Sequence, residues 1–164
     1  MKKLYIIIIL FFSVRIYGQN FILKNEEIIF SFDTKKGKRM MLVKDKANTY
    51  IFYRFGTKDR VEFKFPEKNQ TSWSKFKYSF YLRGGGVQNE GMDLNHIYLI
   101  NKNIKYVIYD TYYSIGEKHE IGIKVTDLKT KKSLDIKGDY KTRKRTMAEF
   151  RDNNLLEITE EANE

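Results

Sequence analysis

The chain has 164 residues, no cysteine, one proline and a formal net charge of +10. This length suits one domain whose core is stable without disulfides, and an apolar content of 41% excludes an intrinsically disordered chain. Tyrosine and phenylalanine number 12 each, a content that favours a sheet protein over a helical one.

Residues 1–18 have the layout of a secretory signal peptide. A positive start at Lys2 and Lys3 precedes an almost unbroken apolar run, and Gly18 is a small residue suited to a cleavage site. The run is shorter than the ~20 apolar residues of a permanent transmembrane helix. We therefore expect an exported protein, periplasmic or extracellular, with no stable membrane span after signal removal. An uncleaved anchor is the alternative.

Residues 19–164 are expected to form a single β domain with a short acidic tail. Without residues 1–18 the chain keeps 28 basic and 21 acidic residues, a charge of +7. Its last eight residues carry four glutamates and no base. This balance favours an anionic envelope partner, such as a glycan, a lipid headgroup or an acidic protein.

Alternating apolar and polar residues predict a succession of strands. The predicted strands cover residues 28–32, 38–44, 49–55, 60–65, 76–82, 97–100, 104–112, 121–125 and 134–136. Turn signals separate them about every eight to twelve residues, and no helices alternate with them. This pattern predicts an all-β fold, a single antiparallel sandwich or barrel of about eight or nine strands.

Two of these strands and the C-terminal segment carry further predictions. The face of strand 76–82 expected to point into the core is formed by Phe76, Tyr78, Phe80 and Leu82. Strand 104–112 is apolar on both faces, which predicts a central position. Thr146 to Glu149 fits a capping box, and one short C-terminal helix is predicted from the stripe of Met147, Phe150, Leu155 and Ile158.

The most unusual segment is the predicted loop 83–96, RGGGVQNEGMDLNH. Its three consecutive glycines leave the backbone free to adopt positive φ and to approach a ligand closely. One interpretation is a binding loop on a rigid sheet; the other is a flexible connection, because the phosphate-loop context of strand, turn and helix is absent. The candidate contacts in this loop are Arg83, Gly84, Gly85, Gly86, Glu90, Asp93 and His96.

Outside the loop, Tyr53, Arg54 and Trp73 are further candidate contacts. The second histidine, His119, follows a turn and is expected to be solvated. Two histidines, no cysteine and no calcium-loop spacing predict neither a metal nor a cofactor. No serine lies in a nucleophile motif, so no catalytic residue is predicted.

A nucleic-acid platform is the alternative use of the basic, aromatic strands. Trp73, Lys75, Lys77 and Tyr81 have the composition of a surface on which bases stack. Export argues against this use, and lysines spread over most turns are typical of a solvated surface. We therefore expect no nucleic-acid partner.

The segments YIFYRFG, VEFKFP, SWSKFKYSFYLRGGG and IKYVIYDTYYS resemble a family of small exported bacterial all-β proteins of unknown function. The resemblance covers roughly Met41 to Ile136. It includes the hairpin sequence Tyr53–Gly56 and an aromatic strand that ends at Arg83. It implies export and an all-β fold, and it transfers no catalytic residue.

These observations favour a binding or inhibitory module directed at an envelope enzyme or an anionic glycan. One alternative is an envelope hydrolase that uses a carboxylate with His96, with Asp93 as the nearest acid in the sequence. Another is a structural envelope protein that assembles through its sheet edges.

Overall fold

The computed structural model describes residues 21–160. The predicted signal peptide and the last four residues of the acidic tail lie outside this range. The strands are β1 Glu26–Asp33, β2 Arg39–Asp45, β3 Ile51–Thr57, β4 Arg60–Phe65, β5 Phe76–Arg83, β6 Met92–Asn101, β7 Ile104–Tyr113, β8 Lys118–Asp127, β9 Ser133–Lys137 and β10 Glu157–Ile158. Five short 3₁₀ helices cover Gln70–Lys75, Gly86–Asn89, Ile115–Glu117, Tyr140–Thr142 and Met147–Arg151.

The strands form two sheets. A four-stranded sheet has the order β1-β2-β3-β4, and a six-stranded sheet has the order β10-β5-β6-β7-β8-β9. Neighbouring strands are antiparallel except for β10, which pairs in parallel with β5. The predicted, mostly antiparallel all-β fold is therefore confirmed, with a strand number close to the predicted one. The strand apolar on both faces is β7, which pairs with β6 and β8 as its pattern predicts.

Both sheets contribute to one hydrophobic core. Phe30 and Leu42 enter it from the four-stranded sheet, and Ile97 and Ile108 enter it from the six-stranded sheet; all four are fully buried. Burial of each such side chain contributes about 1.5–3 kcal/mol. Packing of this kind replaces the disulfides that the chain lacks.

The predicted core face of β5 is buried over only half of its length. Phe76 and Tyr78 are fully buried, whereas Phe80 is 39% exposed and Leu82 is 57% exposed. The strand continues beyond the core, to the end of the sheet where the faces of its neighbours become polar. That end carries the candidate site.

The other face of the four-stranded sheet is covered too. Phe21 packs there against Val43 and Phe52 in a second apolar cluster. Beside this cluster, the guanidinium of Arg54 forms a bidentate ion pair with Glu26, at 2.7 and 2.9 Å. Arg54 and Glu26 are 4% and 3% exposed, so this face holds a charge pair that solvent barely reaches.

Residues 138–144, which we call the clasp, connect the two sheets. The clasp leaves β9 and runs along β1, with isolated bridges between Gly138 and Thr34 and between Lys144 and Ser31. Two further bonds reinforce it: the amide of Asp139 donates to the Asp33 carbonyl, and the Asp33 amide donates to Thr142 Oγ1. An edge of the four-stranded sheet is thus held by the chain that leaves the six-stranded one.

The short C-terminal helix is present as the 3₁₀ helix Met147–Arg151, capped by Thr146, whose hydroxyl accepts from the Ala148 amide at 3.2 Å. This helix ends at Arg151, so Leu155 and Ile158, which belong to the predicted stripe, lie beyond it. Leu156 is buried in this segment, and Ile158 is a 47% exposed strand residue. None of the helices in residues 21–160 has the length and apolar character needed to cross a membrane.

Candidate functional site

The inner face of the six-stranded sheet changes from apolar to polar along its strands. Since side chains alternate between the faces of a strand, the register places Asp93 and Asn95 of β6 on the same face as the core residue Ile97. Opposite Asn95 on β7 lies Asp110, and two residues further along β7 is Tyr112. Tyr112 in turn pairs with His119 of β8.

The clasp and the chain directly after it cover this polar face. Arg143 and Tyr140 of the clasp, together with Thr146, face the polar ends of the strands across a pocket of ≈ 230 Å³. Their positions follow from the hydrogen bonds between the clasp and β1, which fix the backbone on both sides of Arg143. The pocket is lined by Asp93, Asn95, Asp110, Tyr112, His119, Tyr140, Arg143 and Thr146.

Each carboxylate of the pocket has an arginine partner. Arg143 Nη2 lies 2.8 Å from Asp110 Oδ2, and the Asp110 side chain is only 7% exposed. Burial raises the pKa of Asp110, Arg143 opposes that rise, and the nearby charge of Asp93 adds to it. Asp93 is paired with Arg151, which also donates to Asn95 Oδ1 at 2.8 Å.

Asn95 joins these ion pairs into one network. Its Nδ2 donates to Asp93 Oδ1 at 2.7 Å, and its Oδ1 also accepts from the hydroxyl of the buried Tyr78 at 2.6 Å. A network of hydrogen bonds and ion pairs of this kind restrains the side chains that it contains. The pocket floor is therefore held in one arrangement before any ligand arrives.

His119 lines this pocket and is exposed to solvent as predicted, but it belongs to β8 and not to the preceding turn. β8 begins at Lys118, three residues earlier than predicted, and His119 is stacked between two tyrosine rings. The ring centroids are 4.6 Å apart for Tyr112 and 4.4 Å apart for Tyr140. The imidazole is thereby held flat against one wall of the pocket.

Two donors of this network have no hydrogen-bond partner among the described residues. The Nε atoms of Arg143 and Arg151 are both buried, and neither has a hydrogen-bond partner within residues 21–160. Arg143 lines the pocket, but its Nε is buried, so an acceptor bound there would reach this N–H only after the side chain shifts. Across the described part of the chain, no three acidic or histidine side chains come close enough to hold a metal ion.

The glycine loop is adjacent to this pocket and is shorter than predicted. β6 begins at Met92, five residues earlier than predicted, because the polar residues on its inner face hide the strand pattern. Arg83 closes the loop by donating from Nε and Nη2 to the Glu90 carbonyl at 3.0 and 2.8 Å. The Ser114 amide donates to the Gly91 carbonyl, which ties the loop to the end of β7.

The three glycines are not equivalent. Gly85 and Gly86 have φ angles of 92° and 60°, whereas Gly84 does not have a positive φ. A Cβ atom on Gly85 would lie 2.7 Å from Asn89 Cβ, but one on Gly84 would meet nothing within 4 Å. The loop is a folded turn with a specific glycine requirement, and its binding role stays a prediction.

His96 lies on the outer face of β6, opposite to Asp93. The two residues are three positions apart on one strand, so their side chains point away from each other. Burial lowers the pKa of His96, and its Nδ1 has no partner in the described residues. The structure therefore does not bring together the pair on which the Asp93–His96 version of the hydrolase hypothesis depends.

The candidate contacts outside the loop have structural roles. Tyr53 is 1% exposed and its ring packs edge-on against Phe63 in the core. Arg54 is committed to Glu26, so neither side chain is available to a partner at the surface. Trp73 is half-buried and donates from Nε1 to the Asn48 carbonyl at 2.9 Å.

No known protein family, characterised protein or solved structure matches the chain. The resemblance to small exported β proteins therefore stays a prediction.

Sequence reasoning identified Asp93 but missed the other residues of the pocket. A usable signal was present in β7, where Asp110 occupies the same face as Tyr106 and Ile108 and interrupts an apolar row. The arginines gave no such signal, because the clasp and the Met147–Arg151 helix reach the pocket only through tertiary contacts.

Proposed function

We propose that the chain is an exported binding or inhibitory module, a two-sheet sandwich that captures a polar group of an envelope protein in the pocket beside the glycine loop. The observation that carries this proposal is a polar pocket whose side chains are held by ion pairs and hydrogen bonds, with Arg143 in its wall. The buried Nε of Arg143 has no partner among residues 21–160, which costs about 1–3 kcal/mol, and a carboxylate or hydroxyl that reached it after a shift of the side chain would recover this cost.

The size of the pocket supports a partner side chain over a free small molecule. Its ≈ 230 Å³ is below the roughly 300–1,000 Å³ of pockets that enclose drug-sized ligands. The surrounding surface, including the glycine loop closed by Arg83 and Glu90, is exposed enough to contact the rest of a protein partner. Export, which the sequence of residues 1–18 supports, is part of the same proposal. So is membership in the family of small exported β proteins, which the resemblance over roughly Met41 to Ile136 supports.

The test is capture of a partner from an envelope extract by the immobilised mature chain, residues 19–164. Arg143→Lys keeps the positive charge but removes Nε and the fork geometry. His119→Phe keeps the aromatic stack and removes the ring nitrogens. Lys124→Gln, on an exposed position of β8, is the control.

A protein retained by the wild type and by Lys124→Gln but lost from both pocket variants would support the proposal. Equal retention by Arg143→Lys, with an unchanged melting temperature, would reject the pocket as the recognition site.

A second candidate function is a hydrolase in which Asp110 and His119 act in place of the His96 pair. It is favoured by the pocket that Asp110 shares with His119, since a carboxyl group and an imidazole in one pocket are candidates for acid–base catalysis. Burial raises the pKa of Asp110, and its ion pair with Arg143 opposes that rise. The readout is release of reducing ends from bacterial cell-wall polysaccharide. Release that Asp110→Asn does not reduce would eliminate this candidate.

A further inference from the structure

A larger groove, of ≈ 640 Å³, lies at the other end of the six-stranded sheet. Asn101, the last residue of β6, lines it, whereas Asp93 near the start of β6 lines the polar pocket. Eight residue steps along a strand separate the two sites by about 26 Å. The groove is therefore a separate site with its own chemistry, and nothing argued for the polar pocket depends on it.

The walls of the groove combine apolar rings with neutral hydrogen-bonding groups. The half-buried Phe65 and Pro66 supply the apolar surface, and the buried ring of Phe52 lies beneath Lys68. Asn69 and Asn101 supply amides that both donate and accept hydrogen bonds. Flat apolar surfaces beside amides match a sugar ring, whose C–H face is apolar and whose rim carries hydroxyl groups.

The charge of the groove is positive. Three lysines and one glutamate line it. Lys68 is engaged with Glu26 at 2.9 Å and lies over the Phe52 ring at 5.0 Å. Lys64 and Lys75 are exposed, and neither has a carboxylate within 4.0 Å among residues 21–160. Two free ammonium groups thus flank an apolar floor.

We infer that this groove binds an acidic oligosaccharide. The sugar rings would lie against Phe65 and Pro66, with their hydroxyl groups on the asparagine amides and their carboxylates on Lys64 and Lys75. The volume of the groove lies within the range of pockets that enclose small ligands, so it accommodates a few sugar units and not a whole polymer. A simple anion would use the lysines alone and would leave the apolar floor uncovered.

The test is isothermal titration of the mature chain with three probes: trigalacturonate, the neutral trisaccharide maltotriose, and tripolyphosphate. Trigalacturonate should bind the wild type more tightly than either other probe. The Lys64→Gln/Lys75→Gln double variant should lose about tenfold or more of this affinity, since charge-assisted hydrogen bonds contribute most in such contacts. Both lysines are exposed and unpaired, so the fold should be unaffected.

The matched control is Lys124→Gln/Lys129→Gln, which removes two exposed lysines, one on β8 and one in the turn that follows it. It should bind trigalacturonate as the wild type does. An equal loss in the control variant, or equally tight binding of tripolyphosphate, would mean that net charge alone attracts the probe and would overturn the inference. Absence of trigalacturonate binding to the wild type, or equal binding of maltotriose, would overturn it as well.

Discussion

Replacing Arg54 by methionine should destabilise the protein through the charge that it leaves behind. The substitution removes the bidentate partner of Glu26, whose side chain has no solvent exposure. Breaking a buried ion pair from one side typically costs 3–5 kcal/mol. Glu26 would keep three other donors, namely Lys68 at 2.9 Å, the Tyr50 hydroxyl at 3.0 Å and the Leu23 amide at 2.8 Å. We therefore expect a loss at the lower end, about 3 kcal/mol.

The assay is equilibrium unfolding in urea, monitored by tyrosine and tryptophan fluorescence, with the free energy of unfolding extrapolated to water. The double variant Arg54→Met/Glu26→Leu is the second arm, because replacing both charges by apolar groups of similar volume is often neutral or stabilising. It should recover most of the stability lost by the single variant. A single-variant loss below about 1 kcal/mol would refute the reasoning, since solvent would then be screening the pair.

The remaining predictions concern pH, the glycine loop and the C-terminal strand. Burial of Glu26 alone would raise its pKa, but its bonds to Arg54, Leu23 and Lys68 hold the pKa at about 2 instead of the ordinary 4.5. Its contribution to stability is therefore complete above pH 4.5 and is lost as the pH falls through 2. Between these two pH values, the urea midpoint should fall less steeply in Arg54→Met than in the wild type. Gly85→Ala should cost about 1–2 kcal/mol because of its positive φ, and Gly84→Ala should change stability by less than about 0.5 kcal/mol; equal melting temperatures would contradict this difference. Leu156→Ala should cost about 2–4 kcal/mol and Ile158→Ala much less, since only the first side chain is buried. A larger loss of stability in Ile158→Ala than in Leu156→Ala, measured by urea unfolding, would contradict this prediction.

The strands could be predicted wherever one face is apolar and the other is polar. β4 was predicted with its observed limits because Val61, Phe63 and Phe65 alternate with charged residues over its whole length. The predicted strand 97–100 is shorter than β6 because the inner face of β6 carries the polar residues Asp93 and Asn95. In this part of the strand the polar residues lie on the face that is apolar in a core strand. The alternation of apolar and polar residues therefore does not predict the parts of strands that extend beyond the hydrophobic core.

The candidate site could be predicted only in part for a related reason. The glycine loop attracted attention through its composition, and it does lie beside the pocket. The arginines that pair with the carboxylates of the pocket, Arg143 and Arg151, belong to irregular chain after the last long strand. The position of Arg143 is set by hydrogen bonds between the clasp and β1, more than 100 residues earlier in the chain, and no local pattern encodes such a contact.

The clasp gives the pocket a connection to the opposite sheet. Arg143 and Tyr140 form part of the pocket wall, while the backbone around them exchanges hydrogen bonds with Ser31 and Asp33 of β1. A molecule that immobilises this wall also immobilises the contact between the two sheets, because one short stretch of backbone forms part of both. A ligand bound in the pocket would then slow the amide hydrogen exchange of Ser31 and Asp33, which lie on a strand that does not line the pocket.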